Sequence, residues 1–494
     1  MAQQNWMKSL SDHYAATRER YPEDELLIVF DIDGTIIDMR YLICYLLSVY
    51  DGTHGTHHFD GLVADDIDVH ENDIMPFLKQ YGLAPDVATE VNDWFEVNKW
   101  MTDSILSSHR PFPGVMDVIR WFQIQPRTHV GLNTGRPEAI RADTLNSLNA
   151  LGQEYRVEFE SDLLKMAPID TEEFIPGYKA EALAHFRDQG FRVFAMIDNE
   201  PENIETMIPV DEDNDILFLH AETIFNSAPK PMPRTVRGAD YDITDLVGES
   251  DLPSRVHLVW HGVNDRENLD QFLASPVSWG EIDVRHDPAG RVILRHDGFD
   301  ENPWTREDRF LSLDDFLGAA NHAGKSIKVD IKENGSVLDT VLERIGHFGI
   351  EDSRLWITCD LEDMGEDSFR KVAAAHPGAV LQTSADFLGP LVLALPDKAR
   401  EICDLFRGWG MNRLSLGWHT RGKRRILKQF QDWGWEVNLY GIPDLETFLQ
   451  AVLLLPTSVT ADFNFPSWNY FGRGSGEDRR YHVYPERERA DGHC

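Results

Sequence analysis

Apolar runs alternate with amphipathic stretches along the whole chain, and the two halves do so with different regularity. In the first half, Leu26 to Phe30 is an apolar run without internal alternation, which suits a strand buried on both faces of a parallel sheet. The pattern turns helical over 39–50, passes through a polar loop at 51–59, and is helical again over 72–81, 87–107 and 113–122. A strand is predicted at 129–132, an amphipathic helix at 178–189, a strand at 191–197 and a last strand at 216–219. The first twenty residues are polar with helical spacing and lack the apolar core of a signal peptide.

The second half repeats a strand-then-helix period. Predicted strands are 256–260, 281–284, 327–331, 355–358, 379–382, 413–416, 436–440 and 458–461. Eight such units over about 210 residues predict a (β/α)8 TIM barrel. Between the halves, 227–253 is rich in Pro, Asp and Gly, with Pro229, Pro231 and Pro233 favouring an extended spacer. The expected organisation is an N-terminal helical extension (1–23), an α/β domain with a Rossmann-like parallel sheet (24–226) carrying a helical insertion (39–111), a linker (227–253), the barrel (254–470) and a tail (471–494).

Composition narrows the class. With 494 residues the chain exceeds one ordinary core. Hydrophobic content of 42% and charged content of 27% fit a folded protein rather than a disordered one. The formal net charge of −37 argues against nonspecific nucleic-acid binding, which needs clustered Lys and Arg. Cys44, Cys359, Cys403 and Cys494 lie far apart, without metal-ligand spacing, and read as reduced thiols of a cytoplasmic protein. No apolar stretch is long enough to span a bilayer, so no integral membrane association is expected. Oligomeric state is left open by the sequence.

The candidate chemistry sits at the predicted strand ends, where α/β sheets bind ligands. The first strand runs into Asp31 and Asp33, followed by Gly34 and Thr35. Two carboxylates one residue apart suit a shared divalent cation, or a nucleophile beside a proton carrier; a solvated turn would have the same composition. A later strand ends in Asn133-Thr134-Gly135-Arg136-Pro137, a hydroxyl and backbone N–H groups able to cradle phosphate or simply to cap a helix. Lys179 falls in the first turn of its predicted helix, where a cation opposes the helix dipole unless it reaches an anion. The strand before Asp198-Asn199-Glu200-Pro201-Glu202-Asn203 adds a second acidic end. His54, His57 and His58 form a loop cluster more ordinary than metal-binding.

These stretches, FDIDGT at 30–35, NTGRP at 133–137, Lys179 and IDNEPEN at 197–203, together resemble the haloacid dehalogenase-like hydrolases over roughly 24–225. The resemblance implies a phosphatase: Asp31 the nucleophile forming an aspartyl-phosphate, and Asp33 the acid and then the base. It also implies Thr134, Gly135 and Lys179 on phosphate oxygens, Mg²⁺ at Asp31, Asp33 and Asp198, and 39–111 as a cap over the substrate. Asn199 departs from the second acid of many members, with Glu202 as a candidate substitute.

In the second half His261 follows the first strand, and Glu281 and Asp283 share one face of the second. His296 follows a short hairpin, and Asp330 and Lys332 share a face at the end of the next strand. Barrel chemistry collects at such C-terminal ends. Three carboxylates suit a hard cation, and two histidines suit acid and base in phosphoryl transfer. The stretches HGVN at 261–264, EIDV at 281–284, HDGF at 296–299, KVDIK at 328–332, SLGWHT at 415–420 and ADFNFPSW at 461–468 resemble the phosphatidylinositol-phospholipase-C-like phosphodiesterase barrels over about 255–470. They are closer to the menorin-like and sphingomyelinase-D-like branches than to the glycerophosphodiester phosphodiesterases. By that resemblance His261 and His296 are the acid/base or nucleophile pair, and Lys332 contacts phosphate. Glu281, Asp283 and Asp330 bind Mg²⁺, with Ca²⁺ or Mn²⁺ as alternatives. Trp418 and Trp468 are candidates to line the mouth.

The expectation is a bifunctional phosphoester hydrolase acting on a small phosphodiester and a small phosphorylated substrate. The alternative is a phosphatase carrying a barrel that only binds its ligand.

Overall fold

The computed structural model describes residues 5–168, 174–223, 232–248, 251–303, 310–333 and 335–461, and the backbone alone of 471–472 and 482–483. Most of the 461–468 stretch with Trp468, most of the tail, Pro229 and Pro231 therefore lie outside the described residues. The chain divides into two compact units, 1–248 and 249–494.

The first unit is a six-stranded sheet, every neighbouring pair parallel. Its strands are β1 (Leu26–Phe30), β2 (Thr128–Pro137), β3 (Leu164–Ala167), β4 (Arg192–Asp198), β5 (Leu217–Ala221) and β6 (Thr235–Gly238), in the order β3-β2-β1-β4-β5-β6. All five residues of β1 are buried, as an apolar run between two neighbours requires. Strand order reverses about β1, so the crevice for a ligand lies beyond the carboxyl ends of β1, β2 and β4.

Helix α1 (Trp6–Arg20) opens with Asn5 as N-cap and is built into this unit rather than extending from it. The Trp6 indole N–H donates to Asp240 O at 2.7 Å, and its ring lies 4.9 Å from that of Tyr241. Gly238 lets the ring approach, since a Cβ there would fall 2.2 Å from Trp6. Two expectations change: Trp6–Arg20 of the expected N-terminal extension packs into the first unit, and the expected linker contains β6 and a short helix (Ile243–Leu246) of that unit.

The insertion at 39–111 is helical as expected, with α2 (Arg40–His54), α3 (Met75–Gln80), α4 (Pro85–Asn98) and α5 (Thr102–Ser108). Helix α2 continues four residues past the expected end at 50 and stops at Gly55, which takes the left-handed conformation of a C-cap. The histidines of that loop serve locally: His54 Nδ1 bonds Tyr50 O, and His57 pairs with Asp60 on the surface. Helices α6 (Val115–Gln123), α7 (Arg141–Gly152), α8 (Ile175–Asp188) and α9 (Pro201–Met207) complete the layers.

The second unit is a closed barrel of eight parallel strands. They are β7 (His257–Trp260), β8 (Trp279–His286), β10 (Ser326–Ile331), β11 (Leu355–Thr358), β12 (Val380–Ser384), β13 (Arg413–Gly417), β14 (Glu436–Ile442) and β15 (Ser458–Ala461), closed by pairing of β15 with β7 and β8 with β10. All eight predicted strands are present. An added strand β9 (Val292–Leu294) folds back antiparallel on β8 as a hairpin. The interior is polar for a barrel: Ser415, Ser458 and Thr460 bond to the Asn438 amide, with Lys328, Gln382 and Arg413 also buried. Such a network specifies the fold only where its members are satisfied.

Trp6→Ala should destabilise the first unit by about 3 kcal/mol, the range for emptying a buried tryptophan site. Urea unfolding of the full chain checks this; an unchanged midpoint would mean that α1 is dispensable.

Candidate functional sites

The first site is built on the ends of β1, β2 and β4. Asp31 follows β1 directly, its N–H bonded to Ile197 O at 2.9 Å, which fixes it beside β4. Gly34 then turns the chain at φ +75°, and a Cβ there would collide with the Asn199 side chain at 2.4 Å. The Lys179 ammonium, on α8, lies 2.6 Å from Asp31 Oδ1 and 2.6 Å from Asp198 Oδ2, all three groups buried. Asp198 also accepts from Glu200 N–H at 2.8 Å and from the Asn203 amide at 3.2 Å. Lys179 is the fifth residue of α8 and not in its first turn, so the helix dipole has no part in placing it.

Asp33 is held from the other side. Arg136 reaches it with Nε at 2.8 Å and Nη2 at 2.6 Å, a two-point clamp on one carboxylate. The guanidinium is buried, also bonds Thr144 Oγ1 at 3.3 Å, meets His109 Nε2 at 3.2 Å, and lies 5.2 Å over the Trp100 ring. Burial, with Arg136 beside it, pushes the His109 imidazole down to about 3. It therefore stays neutral, its Nε2 accepting from Arg136 and its Nδ1–H donating to Ser147 Oγ at 2.7 Å.

Thr134 is fully buried and its hydroxyl accepts the Arg136 N–H at 3.1 Å; Gly135 and Arg136 are the residues of that stretch that line the cleft. Glu202, the candidate substitute acid, is exposed, and Glu200 faces the cleft instead.

The insertion supplies the roof. His70, Glu71, Asn72 and Trp100 line a cleft of about 540 Å³, counting its open part, above Asp31, Asp33 and Lys179. His70 bridges roof and floor, Nε2 lying 3.3 Å from Glu200 Oε1 and Nδ1 3.3 Å from Glu71 Oε2. None of Arg136, His109, His70, Glu71, Trp100 or Glu200 was among the expected site residues. Arg136 and Glu200 stand inside recognised stretches, whereas the roof residues carry no sequence signal.

The electrostatics follow from five carboxyls meeting three cationic side chains. Burial, with Asp198 and Asp33 beside it, pushes Asp31 up to about 8 against the pull of Lys179. Burial would raise Asp33 too, but the Arg136 guanidinium overcomes it and holds the carboxyl below its usual range. Asp31, Asp33 and Asp198 offer the all-oxygen donors that a hard divalent cation takes, but each is met by Lys179 or Arg136, and among the described residues no three such side chains are arranged to hold a metal ion.

The second site lies at the carboxyl ends of β7, β8 and β10. His261 follows β7, and its loop turns back so that Asn264 and Asp283 bond reciprocally, Nδ2 to Oδ2 at 2.6 Å and Asp283 N to Oδ1 at 2.9 Å. The β8–β9 hairpin, pinned by Arg295 N–H to Asp283 O at 2.8 Å, carries His296 to the same place. The two imidazoles stand 6.0 Å apart at right angles. Asp297 Oδ1 holds His296 Nδ1 at 2.8 Å, and Arg285 donates to His296 O at 2.6 Å. Burial alone would raise Asp283; Lys332, His296 and His261 instead hold it well below the carboxylate range.

The three expected carboxylates all come to this interior, each beside a lysine: Glu281 with Lys328 at 2.9 Å, Asp283 with Lys332 at 3.0 Å and Asp330 with Lys332 at 2.6 Å. The SLGWHT stretch is a latch, in which Asp386 accepts from Gly417 N at 2.8 Å, from Thr420 and Tyr440 hydroxyls, and from Ser384 at 3.0 Å. Trp418 is half-buried with the Lys423 ammonium 4.5 Å from its ring.

No protein-family model and no curated protein matches the chain. Solved structures similar to parts of it include an Oleispira antarctica phosphodiesterase in complex with the product sn-glycerol-3-phosphate (13% identity, 43% of this chain, 94% of that one, TM-score 0.33). They also include a glycerophosphodiester phosphodiesterase from Agrobacterium tumefaciens (15% identity, 42% and 95%, TM-score 0.30) and a HAD-superfamily hydrolase of subfamily IA from Geobacter sulfurreducens (12% identity, 45% and 96%, TM-score 0.30). At scores this low the likenesses carry no weight, and what the sites can do follows from their own geometry. No helix among the described residues is long and apolar enough to cross a membrane.

The His70 bridge predicts a pH dependence. Burial lowers its pKa, but Glu71 and Glu200 more than offset this and raise it from 6.5 to about 9. A folded pKa above the unfolded one contributes stability that is complete below about 6.5 and disappears as pH rises through about 9. Urea unfolding of wild type should therefore weaken across that window, and His70→Gln should flatten the loss; parallel curves would remove His70 from the roof's attachment.

Proposed function

We propose that the chain is a phosphoester hydrolase with two sites, a phosphomonoesterase in the first unit and a phosphodiesterase in the barrel. The carrying observation is the pairing of a buried carboxylate, Asp31, with the Lys179 ammonium at 2.6 Å at the floor of a roofed cleft. Once the proton that burial favours on Asp31 has passed to Asp33, Asp31 Oδ attacks phosphorus as the carboxylate, the bond from phosphorus to the leaving oxygen breaks, and that oxygen takes the proton from Asp33. Water then attacks the aspartyl-phosphate, giving its proton to Asp33 and regenerating Asp31. Lys179 and Gly135, which line the cleft, would hold phosphoryl oxygens, and Thr134 would act behind them by shaping the turn. Mg²⁺ held by Asp31, Asp33 and Asp198 would, when bound, offset phosphoryl charge.

Arg136 divides the work of Asp33. It holds the carboxyl ionised in the resting cleft, the state that accepts a proton from water. Protonating a leaving alkoxide is the harder duty, so a good leaving group spares it. In the barrel, His261 and His296 flank Asp283. One takes a proton from the attacking hydroxyl and the other gives one to the departing oxygen. With His296 Nδ1 held by Asp297, its Nε2 is the nitrogen for transfer.

The test measures phosphate release from para-nitrophenyl phosphate and an alkyl phosphate, beside nitrophenol release from bis-para-nitrophenyl phosphate. Asp31→Asn should lower monoester turnover by at least about a thousandfold and leave the diester rate intact, and His261→Ala should do the converse. Asp33→Asn should cost the alkyl phosphate more than the nitrophenyl ester. Full monoesterase activity in Asp31→Asn would overturn the reading. A diester untouched by wild type would leave the barrel as a binding unit.

A further inference from the structure

The roof of the first unit's cleft holds an acid that the protein only half satisfies. Glu71 lies in the connection between α2 and α3 and lines the cleft. It is 3% exposed, and among the described residues its Oε2 accepts no hydrogen bond. His70 Nδ1 comes to ion-pair distance of that oxygen, 3.3 Å, but Nε2 of the same ring is turned to Glu200, so one cation serves two acids. Lys99, behind the roof, does not make up the difference: its ammonium is taken by Glu96 at 2.7 Å and by Asn72 Oδ1 at 3.1 Å. A buried carboxylate oxygen left in this state is costly unless a donor from outside meets it.

Glu71 stands on the leaving-group side of the cleft. Burial pushes its carboxyl up to about 7 against the pull of His70, and the Asp33 carboxylate is near enough to add to the rise. Asp33 is the group that meets the leaving oxygen, whereas the phosphoryl group belongs at the floor with Asp31 and Lys179. The part of a substrate that reaches Glu71 is therefore its alcohol. The cations on this side are already engaged, Arg136 by two points on Asp33 and His70 between Glu71 and Glu200. An alcohol carrying a carboxylate or a second phosphate would bring like charge to Glu71 and Glu200. An apolar one would seal Oε2 away from water without a donor. One ending in an ammonium would supply both the missing charge and the missing N–H.

We propose that the first unit takes a phosphate monoester of a short amino alcohol, whose ammonium is received by the Glu71 carboxylate in the roof. The alcohol is short because roof and floor meet through His70 and Glu200, which leaves a chain of only a few atoms to span from Asp33 to Glu71. Glu71 selects the substrate and takes no part in breaking the ester. Turnover of such an ester rests on the monoesterase reading above, whereas joint recognition of an ammonium and a phosphate does not.

The experiment measures, by isothermal titration calorimetry on the full chain, the binding of three phosphonates of equal length: 3-aminopropylphosphonate, 3-hydroxypropylphosphonate and butylphosphonate. Their carbon–phosphorus bond resists hydrolysis, so binding is read apart from turnover. Wild type should bind the aminopropyl compound at least about tenfold more tightly than the butyl compound, with the hydroxypropyl compound between them. Glu71→Gln should lose most of this preference, and Glu71→Asp, which keeps the charge on a shorter arm, should retain part of it. Equal affinity for the three in wild type, no binding of any, a preference for the hydroxypropyl compound, or an amine preference that Glu71→Gln leaves intact overturns the proposal. If Glu71→Gln fails to fold, the ranking in wild type decides. An amine preference in a chain that releases no phosphate from para-nitrophenyl phosphate contradicts the monoesterase reading and leaves the part given to Glu71 standing; turnover of that ester without an amine preference does the reverse.

Discussion

One buried ammonium holds the first unit's site together. Asp31 and Asp198 end adjacent parallel strands, and two carboxylates so placed in a dry crevice would repel. Lys179 lies 2.6 Å from both. At an effective dielectric of about 20, a pair of unit charges about 4 Å apart attracts by roughly 4 kcal/mol, much of it offset by desolvation. The arrangement survives because three elements, β1, β4 and α8, deliver the charges together. The crossover from β3 to β4 through α8 is therefore part of the chemistry. Losing the ammonium would leave two buried anions, and the sheet's switch point would have to open to water or take up protons.

The same constraint is solved differently in the barrel. There the charges are interleaved along two paired strands, so register itself sets which acid meets which lysine. A one-residue slip of β10 would turn Lys328 and Asp330 outward together. The buried network through Thr460 and Asn438 continues that order across the interior. The histidine pair sits above it, placed by a hairpin and a loop, which is where reacting groups on a rigid scaffold are expected.

Much of this was legible in the chain. Apolar runs such as Leu26–Phe30 and Leu355–Thr358 announce strands because parallel strands are buried on both faces, and the acids and lysines that follow them mark the sites. What leaves no mark in the sequence has physical reasons. Strand β6, reading Thr-Val-Arg-Gly, is short and half polar, and it stands among prolines that read as a spacer. The Arg136 clamp on Asp33 spans 103 positions and leaves no local trace. His70, Glu71 and Trp100 sit in the roof, where specificity needs no periodicity. Lys179 falls past the first turn because its helix begins at Ile175, three residues before the start at 178 that the pattern predicts. Lys328 was visible in the KVDIK stretch, and only the register of β8 on β10 reveals its partner.

The central claim is that Asp31 is a nucleophile, and a covalent intermediate tests it most directly. The full chain would be mixed with para-nitrophenyl phosphate and Mg²⁺, quenched in acid within one turnover, and its peptides examined by mass spectrometry. The account predicts a phosphoryl adduct on the peptide containing Asp31, absent from Asp31→Asn. Turnover without any adduct, retained in Asp31→Asn, would contradict it.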